Sequence, residues 1–107
     1  MTPQVNKQIK LLRDVLEKKS DIKQIFLFGS YAYGKPSEES DIDLCTIADL
    51  SSKRKIDVMR EIRRESLNVI PNALDILVYL EDEFRERSHL GSTLEHKILT
   101  DGIRLHG

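Results

Sequence analysis

A single cysteine, Cys45, excludes an intramolecular disulfide in this chain of 107 residues, and its place in an apolar run reads as a buried thiol. No apolar stretch approaches the roughly eighteen residues that a membrane span requires. The amino-terminal Met1-Thr2-Pro3-Gln4-Val5-Asn6-Lys7 leads into an amphipathic segment without a continuous apolar core. No secretory signal is therefore read there, and a cytoplasmic location is expected. An excess of one charge is also missing: 17 Lys and Arg face 18 Asp and Glu, a net charge of −1. That balance argues against indiscriminate nucleic-acid binding. Repeats, low-complexity tracts and linkers are absent as well. What remains is 39% apolar and 33% charged, the composition of one small domain over residues 1–107. A domain of this size buries little more than about 60% of its unfolded surface, so modest stability and a partner chain are expected, with self-association left open.

The pattern alternates helices and strands. Thr2-Pro3 is a good helix opening, and Val5, Ile9, Leu12 and Leu16, widened by Leu11 and Val15, form one apolar face up to about Lys19. Ile22–Phe28 reads as a buried strand ending at Gly29-Ser30, residues 34–40 as loop, and Ile42–Ala48 as a second strand. Ser51 or Ser52 is the expected cap of a helix over about 53–68, with Ile56, Met59, Ile62 and Ser66 inward. Pro71-Asn72 breaks the chain before a third strand, Ala73–Leu80, too apolar for a solvated edge. Glu81–Arg87 is short and polar, Thr93–Leu99 reads as a helical turn or two, and Asp101-Gly102 turns into an extended Ile103–Leu105. The expected fold class is α/β (α+β), a short mixed sheet flanked by helices. Strand order is not legible.

The chemistry gathers between Gly29 and Asp43. Gly29-Ser30 ends one apolar strand, ten residues intervene, and Asp41-Ile42-Asp43 opens the next. From ordinary residue frequencies this pattern arises by chance in about one chain in a thousand. Residues two apart in a strand share a face, so Asp41 and Asp43 can converge on one cation while Ile42 and Leu44 point into the core. Asp75 stands inside the apolar third strand, where an unpaired carboxylate is costly unless a metal ion meets it. If the second and third strands are neighbours, three carboxylates meet, and hard oxygen donors select Mg²⁺ or Mn²⁺ over Zn²⁺. Three such charges repel, so one of them should hold a proton until the metal arrives. Gly29 permits close backbone approach, and Ser30 offers a hydroxyl to phosphate oxygens. Together these parts suit chemistry on a nucleoside triphosphate.

Competing readings are weaker. Gly29-Ser-Tyr-Ala-Tyr-Gly34-Lys35 spells GxxxxGK, but Pro36 lacks the hydroxyl a P-loop places next and disfavours helix at Lys35. An EF-hand loop starting at Asp41 would need glycine where Thr46 stands. Taken alone, Ser40-Asp41 would be a solvated turn. Tyr31 and Tyr33 read as packing or base-stacking residues, Lys35 as a phosphate contact or a solvated lysine, and Ser37–Ser40 as a loop shaping the site's edge. Between Lys53 and Arg64 six Lys and Arg face Asp57 and Glu61, a basic face that is either solvated or meets an acidic partner or RNA. His89, His96 and His106 have no metal-ligand spacing.

Gly29, Ser30, Asp41, Asp43 and Asp75 resemble, position by position, the motif of the DNA polymerase β-like nucleotidyltransferase superfamily, and in particular its minimal stand-alone MNT members. The likeness extends to the closing Asp101-Gly102-Ile103-Arg104-Leu105. It departs after Gly-Ser, where many minimal members carry arginines and this chain has Tyr31 and Tyr33. The resemblance implies attack of a hydroxyl on the α-phosphate of an NTP, ATP above all, with two Mg²⁺ ions at the attacking and leaving oxygens. Asp41, Asp43 and Asp75 would hold metal, Asp75 would also help deprotonate the hydroxyl, and Gly29 and Ser30 would hold the β- and γ-phosphates. Minimal members pair with a small helical HEPN protein as antitoxin and toxin, and the implied acceptor is a tyrosine of such a partner. A second reading is a binding module that neutralises its partner by complex formation alone.

Overall fold

The computed structural model describes residues 3–34, 40–51 and 53–107. Thr2, Lys35, Pro36, Ser37, Glu38, Glu39 and Ser52, and the expectations placed on them, lie outside the described residues. Nine elements follow in order: α1 (Pro3–Leu16), β1 (Ile22–Phe28), α2 (Ser30–Tyr33), β2 (Ile42–Ala48), α3 (Lys55–Ser66), β3 (Leu74–Tyr79), α4 (Glu81–Ser88), α5 (Leu94–Asp101) and β4 (Ile103–His106). The four strands form one mixed sheet in the order β3-β2-β1-β4. β1 is antiparallel to both β2 and β4, and β2 is parallel to β3 across the α3 connection.

Continuous apolar runs make the two central strands, because both faces of this sheet are covered. Ile25, Leu27, Ile42 and Leu44 join Val5, Ile9, Leu12 and Leu16 of α1 and Val58 and Ile62 of α3 in one core. Phe26, Phe28, Cys45 and Ile47 face the other way, against Phe84 of α4 and Ile98 of α5. The Phe26 and Phe84 rings stack at 5.8 Å, and Tyr79 meets Phe84 edge-on at 5.4 Å. Cys45 is fully buried, and burial, with the Glu95 charge adding, pushes its thiol up to about 12. The helices end in three layers, α1 and α3 on one side of the sheet and α4 and α5 on the other. Among the described residues no helix is long and apolar enough to cross a membrane.

Four expectations are corrected. β3 is an edge strand despite its apolarity. Leu74, Ile76 and Val78 are buried on the α3 side and Leu77 and Tyr79 pack against the other core, so covered faces rather than a central position account for its composition. The Arg63 guanidinium donates to the Leu74 carbonyl at 2.8 Å. α3 starts at Lys55 with Arg54 as its cap, not at Ser51, and Asp57 Oδ2 accepts the Arg54 backbone N–H at 2.9 Å. Its inward stripe is Val58, Ile62 and Ser66, with Met59 beside it, while Ile56 is exposed, as is Leu11 on α1. Glu81–Ser88 is a full helix, although only Phe84 and Ser88 are buried. Its three acidic residues in the first turn and Arg85 and Arg87 in the last complement the helix dipole.

Tyr79 and Arg87 both donate to Glu95 Oε1, which fixes α5 to α4 and to the end of β3. Burial raises the Glu95 carboxyl, but the Arg87 and Tyr79 bonds outweigh it and hold the group below its ordinary value. The load on the two cores differs sharply from that on the surface. Leu44→Ala, at 1% exposure, should lower the unfolding free energy by about 2–5 kcal/mol. Leu67→Ala, at 79% exposure, should change it by no more than about 0.5 kcal/mol. Urea denaturation of the two variants beside the parent checks both values.

Candidate active site

The carboxyl end of β1 and the amino ends of β2 and β3 meet at one end of the sheet, because β2 runs antiparallel to β1 and parallel to β3. Asp43 stands there between Phe28 of β1 and Asp75 of β3, in register with both. Gly29 follows Phe28 at φ 73°, a left-handed conformation that side chains resist. A Cβ on it would lie 1.9 Å from Asp43 Oδ2. Glycine is thus demanded twice, by backbone angle and by the carboxylate pressed against it. Ser30 then opens the single turn of α2, where the Ala32 and Tyr33 N–H groups donate to the Gly29 carbonyl at 3.0 and 3.1 Å.

The Asp43 and Asp75 carboxyls are close enough to share a hydrogen bond when one of them is protonated. Burial of Asp43, then that bond, then the charges of Asp75 and Asp41 raise its carboxyl to about 6. Asp43 is half-buried, whereas Asp41 and Asp75 are exposed. The cost of a desolvated carboxylate, expected at Asp75, therefore falls on Asp43, because β3 lies at the edge. Asp41 precedes β2 and acts on Asp43 through its charge. Among the described residues no three carboxylates are gathered closely enough to enclose an ion as they stand.

Asn72 was legible in the sequence only as part of a chain break, but it ties this end of the molecule together. Its Nδ2 donates to Tyr31 Oη at 3.1 Å and to the Ser40 carbonyl at 3.0 Å. One amide thus links α2, the approach to Asp41 and the segment leading to Asp75. The Ile42 N–H donates to the Ala73 carbonyl at 2.9 Å and starts the parallel ladder. Tyr31 is core, at 5% exposure, and Tyr33 is on the surface with the Lys97 ammonium 4.7 Å from its ring centroid. Part of the basic stretch from Lys53 to Arg64 is spent within the chain. Lys53 pairs with Asp21 and Glu61, Arg54 with Asp57, Lys55 with Glu83, and Arg63 caps β3.

A description of the nucleotidyltransferase domain matches residues 9–106. The chain belongs to the nucleotidyltransferase domain family. The protein adenylyltransferase MntA of Shewanella oneidensis is 37% identical over 103 residues, 95% of this chain and 64% of MntA. The chain thus spans a little under two thirds of that relative's length. The fold matches a toxin–antitoxin crystal structure with AMP-PNP at a TM-score of 0.59 and 22% identity, over 94% of this chain and 73% of that one. A second match, the MntA–HepT toxin–antitoxin structure, has a TM-score of 0.50 and 25% identity, over 97% of this chain and 70% of that one. The nucleotidyltransferase fold expected from the motif is the fold observed.

The raised Asp43 carboxyl makes a prediction for stability. A carboxyl whose folded value is above its unfolded one favours the folded state when protonated, so stability is lost as pH rises from about 4 through about 6. Asp43→Asn removes that loss while keeping a donor for Asp75. In EDTA the variant and parent should melt together near pH 4, and the variant should melt higher above pH 6, as thermal unfolding across pH would show.

Proposed function

We propose that residues 1–107 form a single minimal nucleotidyltransferase domain that uses Mg²⁺ to transfer AMP from ATP to a hydroxyl of a small helical HEPN-type protein, and so acts as an antitoxin. The observation that carries this reading is the Asp43–Asp75 pair, in register on parallel strands, with Gly29 leaving open the space beside it. Adjacent carboxylates that raise one another's proton affinity are an unfavourable arrangement for a purely structural role. The same hard oxygen donors suit Mg²⁺, with Mn²⁺ able to replace it, and binding would displace a proton held on Asp43. The names of the relatives support the acceptor class: MntA is a protein adenylyltransferase, and a solved neighbour is an MntA–HepT complex.

In this reading Asp41, Asp43 and Asp75 would hold two metal ions, which would supply Lewis-acid charge to the reaction when bound. Gly29 and Ser30 hold the β- and γ-phosphates, Gly29 through its exposed backbone and Ser30 through its hydroxyl. The acceptor oxygen forms its bond to the α-phosphorus as the bond to the β-phosphate bridging oxygen breaks. Pyrophosphate leaves with that electron pair. Asp75, exposed at the sheet edge where an acceptor can approach, takes the hydroxyl proton.

Label transfer from α-labelled and γ-labelled ATP, with Mg²⁺ and a purified HEPN-type partner, tests the proposal. Transfer from the α-label alone is expected, reduced about a hundredfold or more in Asp43→Asn. Transfer from the γ-label would mean a kinase and would overturn the mechanism. A tight complex with no transfer would instead establish neutralisation by occlusion.

A further inference from the structure

Lys97 is set apart by where it lies, over the ring of Tyr33 on the short helix that begins at Ser30. Several other cations are paired: Lys53 with Asp21 and Glu61, Lys55 with Glu83, Arg85 with Glu81 and Asp82, Arg87 with Glu95. Lys97 is exposed, has no carboxylate partner among the described residues, and rests instead on the face of the Tyr33 ring at 4.7 Å. An exposed contact of that kind is weak, and an anion of higher charge readily takes the ammonium from it.

Its place in the fold is fixed by its neighbours. Ile98 is fully buried in the core that contains Phe26, Phe28 and Cys45, so α5 covers the sheet face from which Asp43 projects. The helix ends at Gly102, where a Cβ would meet the Ile98 carbonyl at 2.4 Å and the Leu27 carbonyl at 3.1 Å. Ile103 then pairs with Leu27, two residues before Gly29. The last turns of α5 are thereby held at the end of β1 from which Gly29 and Ser30 emerge. Tyr33 lies three residues after Ser30 on the single turn of α2, which is about 4.5 Å along the helix axis. The ammonium over its ring thus lies beside the short helix that starts at Ser30, on the side where a phosphate chain at Gly29 and Ser30 would run.

We propose that Lys97, parked on Tyr33, binds the β- and γ-phosphates of the incoming NTP and neutralises the pyrophosphate as it leaves. The inference rests on the nucleotidyltransferase reading above and adds to it a residue from α5, far in sequence from the motif. Tyr33 holds the long, flexible lysine near the site before substrate arrives, which lowers the ordering cost of using it. Lys97 touches the substrate but takes no part in moving the acceptor's proton.

Calorimetric titration with Mg·AMP-PNP and, separately, with AMP tests this in the parent, Lys97→Met, Lys97→Arg and Tyr33→Leu, with Lys10→Met on the opposite face of the sheet as control. Loss of one charge-assisted phosphate contact corresponds to a rise of roughly tenfold or more in Kd. Lys97→Met should show that rise for Mg·AMP-PNP and no change for AMP. Lys97→Arg should stay within about threefold of the parent, Tyr33→Leu should fall between them, and the control should match the parent. Equal affinity of Lys97→Met and parent for Mg·AMP-PNP would overturn the assignment, as would an equal loss for AMP, which lacks the β- and γ-phosphates. Failure of the parent itself to bind Mg·AMP-PNP would overturn the nucleotidyltransferase reading and this inference with it.

Discussion

Two carboxylates in register on adjacent parallel strands are the constraint around which this small molecule is arranged. Asp43 and Asp75 cannot move apart, because the β2–β3 ladder runs on from them through Leu44–Ile76 to Ile47–Tyr79. β2 is anchored by complete burial from Leu44 to Ala48. Like charges so placed oppose folding, and burial together with the neighbouring carboxylates raises the Asp43 carboxyl to about 6. Gly29 completes the constraint from the β1 side, since any side chain there would strike Asp43. Strand order and glycine both follow from bringing those oxygens together.

Several charges elsewhere are compensated within the chain. Glu95 is buried at 4% exposure, yet Arg87 and Tyr79 satisfy it and lock the α4–α5 pair onto the sheet. Lys53 bridges Asp21 and Glu61, and Lys55 reaches Glu83 across to α4. Against that background the uncompensated groups are informative. The carboxylates at the sheet end and the ammonium of Lys97, which has no carboxylate partner among the described residues, lie on the same side of the sheet, one suited to cations and the other to an anion. A metal-bound triphosphate carries both.

Much of this was legible before the structure. Ile22–Phe28 and Ile42–Ala48 read as buried strands because apolar residues on both faces leave no other reading, and their limits are the observed ones. Gly29-Ser30 and Asp41-Ile42-Asp43 could be found because the backbone geometry that glycine permits and the period of a strand are local properties. What escaped depends on tertiary contacts. The apolarity of Ala73–Leu80 records covered faces, which edge and central strands share, so the edge position of β3 was hidden. Val58 rather than Ile56 faces inward because the orientation of α3 is set by α1 and the sheet. Four-residue spacing of Phe84 and Ser88 was too sparse a stripe to reveal α4. Asn72 and Lys97 act on partners 41 and 64 positions away, Tyr31 and Tyr33, and no local pattern marks either.

The central claim is that the Asp43–Asp75 oxygens are a divalent-metal site completed by nucleotide. Binding of Mn²⁺, followed by its electron paramagnetic resonance with and without AMP-PNP, tests it most directly in the parent, Asp43→Asn and Asp75→Asn. The account predicts Mn²⁺ binding to the parent that strengthens with nucleotide and is lost in both variants. Equal Mn²⁺ binding in parent and variants would contradict it.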